Sequence, residues 1–148
     1  MQISSTAFQD NTYIPSDYTC DGEDYNPPLT FSKVPTEAES LVLIVEDPDA
    51  PSQVFTHWIL FDMPPATLEI LKHQVPLGTK QGMNDFGNVG YGGPCPPSGT
   101  HHYHFKLFAL ETLLNLLEGA TKEAVEKAMK GHVIESAELV GLYKKQNQ

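Results

Sequence analysis

Two aspartates and a group of histidines carry the chemistry this chain can do. Asp47 and Asp49 flank Pro48, and a spacing of two in extended chain aims both side chains the same way. A solvated turn accounts for two aspartates taken alone. What sets these apart is His57, which follows on an apolar stretch and must still find a hydrogen-bond partner; a nearby aspartate is the obvious one. His101-His102-Tyr103-His104 is the densest polar-aromatic cluster. On a strand, His101 and Tyr103 face one way and His102 and His104 the other. Only two of these histidines share a face, and neither cysteine completes a familiar ligand pattern, so no metal is expected. Neither a Gly-x-Ser-x-Gly elbow, a His-Glu-x-x-His pair, a phosphate-binding loop nor a dinucleotide glycine fingerprint occurs. Ser52 and Ser98 read as turn residues, so no catalytic residue and no cofactor is expected.

The elements that must position these groups are mostly strands. Ser40 to Glu46 is a continuous apolar run rich in β-branched residues, which reads as a buried strand. It ends at Asp47-Pro48-Asp49-Ala50-Pro51, where two prolines stop ladder pairing and set a turn. Phe55 to Asp62 is a second strand, with Phe55, His57, Ile59 and Phe61 on one face and Thr56, Trp58 and Leu60 on the other. His101 to Leu110 is a third, and Val133 to Tyr143 a weaker fourth. One helix is expected: Thr121 caps it, Glu123 suits its first turn, Gly131 stops it, and Ala124, Val125, Ala128 and Met129 form its apolar stripe. Residues 111–120, with Leu113, Leu114, Leu116 and Leu117, suit either a helix or an irregular packed link.

Between Pro76 and Thr100 lie seven of the eleven glycines (Gly78, Gly82, Gly87, Gly90, Gly92, Gly93 and Gly99), with Pro76, Pro94, Pro96 and Pro97. A connection of about 25 residues without strand or helix pattern is uncommon unless it is functional or disordered. Phe86, Tyr91 and Cys95 do not suit disorder, so an ordered binding loop is expected, its glycines letting the backbone approach a ligand and present N–H groups to it.

The bulk numbers bound the rest. A chain of 148 residues suits one domain spanning 1–148. Its net charge of −10 argues against nucleic acid or anionic membranes as partners. All nine basic residues are lysines, so an anion site must use histidine, lysine, hydroxyl or backbone N–H groups. The N-terminus lacks a basic leader, and the longest apolar run, Leu41 to Val45, is far too short for stable membrane insertion; a cytoplasmic location is the default. In that reducing setting Cys20 and Cys95 read as free thiols, against the competing reading of a pair beside the pocket.

Taken together, Asp47-Pro48-Asp49-Ala50-Pro51, His57-Trp58, the run Gly90 to Pro97 and Gly99-Thr100-His101-His102-Tyr103 resemble the phosphatidylethanolamine-binding protein family, in particular its prokaryotic, Raf-kinase-inhibitor-like branch. Thr19-Cys20-Asp21-Gly22 and Gly131-His132-Val133 fit the same branch. The resemblance implies a mainly β fold: an antiparallel β-sandwich of a larger and a smaller sheet, with a helical segment towards the C-terminus. It implies a pocket for phosphate-like or carboxylate-like anions, formed by Asp47, Asp49, His57, Gly93, Pro94, His101 and Tyr103, and a cis proline at Ala50–Pro51. The family often has arginine where this chain has His102, so any ion pair made there becomes pH-dependent. Prokaryotic members are often dimers, which admits a homodimer, although no exposed apolar stripe argues for one.

The expected function is therefore binding of a small anion, such as a phospholipid head group, without turnover and with a regulatory role. His57, His101 and Tyr103 would touch the ligand while Asp47 and Asp49 orient the histidines. The alternatives are an inhibitory module that docks a kinase or protease, and a hydrolase using an aspartate–histidine pair.

Overall fold

The computed structural model describes residues 1–146. The strands are β1 (Gln2–Ser4), β2 (Thr12–Tyr13), β3 (Leu29–Ser32), β4 (Ser40–Asp47), β5 (Phe55–Met63), β6 (Glu69–Ile70), β7 (Lys80–Gln81), β8 (Thr100–Leu110) and β9 (Val133–Lys144); helix α1 spans Lys122–Met129. A six-stranded sheet runs β2-β9-β8-β4-β5-β7 and a three-stranded sheet runs β1-β3-β6. Every pairing is antiparallel except the short parallel contact of β2 with β9. This is the expected sandwich of a larger and a smaller sheet.

β4 is buried at every position because both of its faces are covered. Leu41, Leu43 and Val45 meet Leu29, Phe31 and Ile70 of the smaller sheet in the main core. Val42 and Ile44 meet Val125 and Met129 of α1 in a second cluster on the outer face. A strand enclosed on both sides needs a continuous apolar run rather than an alternating one. β8 alternates instead, with Tyr103, Phe105, Leu107 and Ala109 turned into the main core.

The helix forms where its caps place it. The Thr121 hydroxyl accepts a hydrogen bond from the Ala124 N–H at 3.1 Å, and Gly131 adopts φ +83° just beyond the C-terminus. Of the expected stripe, Val125 and Met129 are buried and Ala124 and Ala128 half-buried. Residues 111–120 are an irregular link rather than a helix; its Leu114 and Leu116 pack on the outer cluster and Leu117 is exposed. The link is pinned by Asp62, whose carboxylate accepts the N–H groups of Leu114 and Asn115.

Three expectations are corrected. The first concerns β5. Val45 lies opposite Trp58 and Glu46 opposite Thr56, so His57 is an extra residue in the ladder, a β-bulge. Trp58 and Leu60 enter the main core and Ile59 and Phe61 the outer cluster, as alternation requires. The bulge breaks that alternation, so His57 meets Tyr103 of the opposite face and does not share the face of Ile59 and Phe61. The second concerns the turn after β4, where the Ala50–Pro51 bond is trans. The third concerns the cysteines. Cys20 and Cys95 form a disulfide with Cα atoms 5.4 Å apart, so they are not free thiols.

That disulfide closes 75 residues of chain, a loop for which chain-entropy arguments give about 4 kcal/mol of stabilisation. Replacing both cysteines by serine is therefore expected to lower the urea unfolding free energy of the oxidised protein by about that amount. Under strongly reducing conditions the same replacement should be no less stable than the reduced parent.

Candidate functional site

The bulge in β5, the start of β8 and the turn after β4 converge on one end of the larger sheet. Together with the loop following β7 they enclose a cavity of about 180 Å³. Asp47, His57, His101 and Tyr103 line it, with Phe55, Phe86, Ala50, Pro51, Cys95, Pro96 and Pro97 forming the rest of the wall. Its polar groups are thus few and surrounded by apolar surface, the usual make-up of a small-ligand site.

Each histidine is held through the same ring nitrogen. His101 Nδ1 lies 2.6 Å from Asp47 Oδ2, and both side chains are buried. A carboxylate can only accept, so Nδ1 carries the proton. The other Asp47 oxygen accepts the Asp49 N–H at 2.8 Å, which closes the turn back onto the end of β4. His57 Nδ1 donates to the Gly92 carbonyl at 2.7 Å, while the Gly92 N–H donates to the His57 carbonyl at 3.0 Å. These two bonds fix the imidazole and the loop to each other. Both Nδ1 atoms being committed, Nε2 is the ring nitrogen each histidine has left for a ligand.

The electrostatics separate the groups. Burial is the largest influence on His57 and pushes its pKa below the usual 6.5, against the opposing pull of the Gly92 carbonyl and the more distant Asp47. His57 is therefore neutral at pH 7. Tyr103 is driven well above its usual range, first by burial and then by the charges of Asp47 and Asp49, so its hydroxyl keeps its proton. Partial burial raises Asp49, but the side-chain and backbone N–H groups of His102 outweigh it and hold the carboxyl below its ordinary value.

The candidate residues are thus not all equivalent. Asp47, His57, His101 and Tyr103 come together on the cavity wall. Asp49 stands outside it and binds His102, the residue in the position where arginine was expected, so that ion pair is indeed tied to histidine protonation. His57 takes a backbone carbonyl as its partner rather than an aspartate. Gly93 and Pro94 are not brought to the cavity wall: the Gly93 N–H donates to Asp24 at 2.9 Å and the Pro94 carbonyl accepts from the Cys20 N–H at 3.1 Å. Their backbone groups serve the N-terminal segment. The glycines answer to packing as well, since a Cβ on Gly92 would overlap the Phe86 ring and one on Gly93 would overlap the Tyr18 carbonyl and Asp24.

Phe55 and Phe86 escaped the sequence reading as site residues. Phe55 sits two residues before His57, and that spacing was the available signal. Phe86 had none beyond being aromatic in a glycine-rich loop. It is presented by Asn84, whose side-chain oxygen accepts the N–H groups of Phe86 and Asn88, and its ring meets His57 edge-on at 5.5 Å.

Fold and site together define a β-sandwich domain with a histidine-lined pocket at one end of its larger sheet. The chain belongs to the phosphatidylethanolamine-binding protein family, whose description matches residues 4–144. It is 51% identical over 98% of its length to a UPF0098 protein of Methanothermobacter thermautotrophicus, covering 99% of that protein. It is 47% identical to one from Aquifex aeolicus, covering 98% of this chain and 89% of the relative. Among solved structures, a phosphatidylethanolamine-binding protein homologue of Chlamydia trachomatis superposes with a TM-score of 0.94 at 43% identity, covering 98% and 97% of the two chains. Escherichia coli YbcL, described as a member of the mammalian family, gives 0.91 at 30% identity over 98% of each.

Because the folded protein holds His57 neutral, the unfolded chain takes up that proton first as the pH falls from the usual 6.5. The stability His57 contributes is complete above that value and is lost as the pH drops through its folded pKa. Urea midpoints measured from neutral to mildly acid pH are expected to fall, and to fall less steeply in His57→Gln.

Proposed function

We propose that the cavity binds a small oxyanion, a phosphate or phosphomonoester such as a phospholipid head group, or a carboxylate, and that it does so without turnover. The observation that carries this reading is the pair of buried imidazoles whose Nδ1 atoms are both locked, leaving two Nε2 atoms for one ligand. In its imidazolium form His101 keeps Nδ1–H on Asp47 and donates a charge-assisted hydrogen bond from Nε2 to the anion. Neutral His57 offers a lone pair and accepts a hydrogen bond from a hydroxyl of a monoprotonated anion. Tyr103, which keeps its proton, is a further donor at the cavity wall. The apolar surround lowers the local dielectric and strengthens each of these bonds.

Binding without turnover is supported by the composition of the wall. Among the described residues it holds no serine, threonine or lysine, and its cysteine is spent in the disulfide. The second reading is a regulatory or inhibitory module in which a kinase or protease docks an acidic or phosphorylated segment here. Phe86 favours it, since its ring is 47% exposed while also lining the cavity. A cytoplasmic location belongs with either reading only if the Cys20–Cys95 bond survives there. Disulfides are rare in that compartment except in hyperthermophiles.

Phosphate titrations followed by amide NMR shifts test the first reading. Affinity is expected to fall at alkaline pH, where phosphate has lost the hydroxyl whose hydrogen bond neutral His57 accepts. Asp47→Asn, which removes the charge behind His101, should weaken phosphate about tenfold at neutral pH. Affinity that stays constant from acid to alkaline pH sinks the mechanism. Phosphoester and ester screens test turnover, and any rate lost in His101→Gln would favour a hydrolase instead.

A further inference from the structure

The Cys20–Cys95 disulfide is built into the wall of the anion cavity. Cys95 lines that cavity together with Pro96 and Pro97. Both cysteines also line a neighbouring cleft of about 230 Å³, and Phe86 is common to the two. Cys20 is exposed and Cys95 half-buried, so the sulfur within reach of an external thiol is that of Cys20. The hydrogen bonds that sew the loop to the N-terminal segment come from Tyr91, Gly93 and Pro94, all before Cys95. Beyond it, Pro96 and Pro97 have no N–H to donate, and residues 97–100 are exposed until Thr100 pairs with Lys144. The disulfide is thus the covalent anchor at the point where the loop becomes cavity wall. Cys95 reaches the ligand-facing groups through its main chain too, which acts on the Tyr103 hydroxyl.

From this placement we infer that the disulfide is a redox gate on the anion cavity. Oxidised, it holds the Cys95–Pro97 wall where the ligand needs it; reduced, it releases that wall and weakens binding. The gate takes its ligand from the anion reading above and adds the control of that site. The reductant is a dithiol. One of its thiolates attacks Cys20 Sγ, the S–S bond breaks, and Cys95 leaves as a thiolate. The second sulfur then attacks the mixed disulfide, closes its own S–S bond and releases Cys20. Two electrons pass to the protein, and the two protons given up by the dithiol end on the cysteines. Because the coupling is reciprocal, a ligand that prefers the oxidised form must also resist its reduction by the same factor.

The test titrates inorganic phosphate into the oxidised protein and into the protein reduced by dithiothreitol, which is uncharged and does not compete for an anion site. Amide signals of the buried strand β4, such as those of Leu43 and Ile44, report whether the fold survives reduction. Reduced protein is expected to keep these signals, to shift the ring signals of His101 and Tyr103, and to bind phosphate about tenfold more weakly. Saturating phosphate should displace the dithiothreitol equilibrium towards the disulfide by the same factor. The double replacement Cys20→Ser, Cys95→Ser should bind as the reduced parent does, with or without dithiothreitol. Equal affinity in the two redox states, a double variant that binds like the oxidised parent, or loss of the β4 signals on reduction overturns the gate. An oxidised protein that does not respond to phosphate overturns the anion reading instead. The ring signals then decide the gate alone: a shift on reduction supports it, and unmoved rings overturn it.

Discussion

At the end of β4 one buried carboxylate satisfies two demands at once. Asp47 Oδ1 accepts the Asp49 N–H and Oδ2 accepts from His101 Nδ1. The first bond folds the chain back so that Ala50 and Pro51 become cavity wall. The second ties β4 to the start of β8 and sets which nitrogen His101 presents. A carboxylate this buried is costly unless paired and hydrogen-bonded, and here the strand end, the turn and the histidine each supply part of that compensation. Strand order makes this possible, because β4 lies between β8 and β5 and so has a histidine-bearing neighbour on either side.

The second histidine is held by different means to the same end. A bulge frees His57 from the alternation of β5, and the Gly92 carbonyl then fixes its Nδ1. Gly92 in turn depends on a loop sewn to the N-terminal segment by the Gly93–Asp24 bond, the Cys20–Pro94 bond, the Tyr91 hydroxyl on the Tyr18 carbonyl, and the disulfide. A loop rich in glycine is thus rigid where it matters. Its glycines give room to Phe86, Tyr18 and Asp24, and the N–H groups of Gly82, Gly87, Gly92 and Gly93 are bonded within the protein.

What was legible in the sequence is what short-range pattern dictates. The apolar run of β4, the alternation of β8 and the capped helix α1 each follow from residue periodicity and turn chemistry, and the joint order of the motifs fixed the family and its sandwich. What was not legible depends on non-local geometry. The bulge at His57 shifts one residue against its neighbour strand without leaving any mark on the sequence of β5. The cysteines are separated by 75 residues, so their pairing turns on how two loops meet. The assignment of Asp47 to His101 and Asp49 to His102 is a matter of β4–β8 register, while spacing alone left either aspartate free to serve His57.

The central claim is that the protein presets the two imidazoles, each protonated at Nδ1 with Nε2 reserved for one shared ligand. Long-range proton–nitrogen NMR of the histidine rings tests it directly. The account predicts a proton on Nδ1 of both His57 and His101 in the free protein, and a change at both Nε2 atoms when phosphate is added. Nε2–H tautomers in the free protein, or phosphate binding that leaves both rings unchanged, would contradict it.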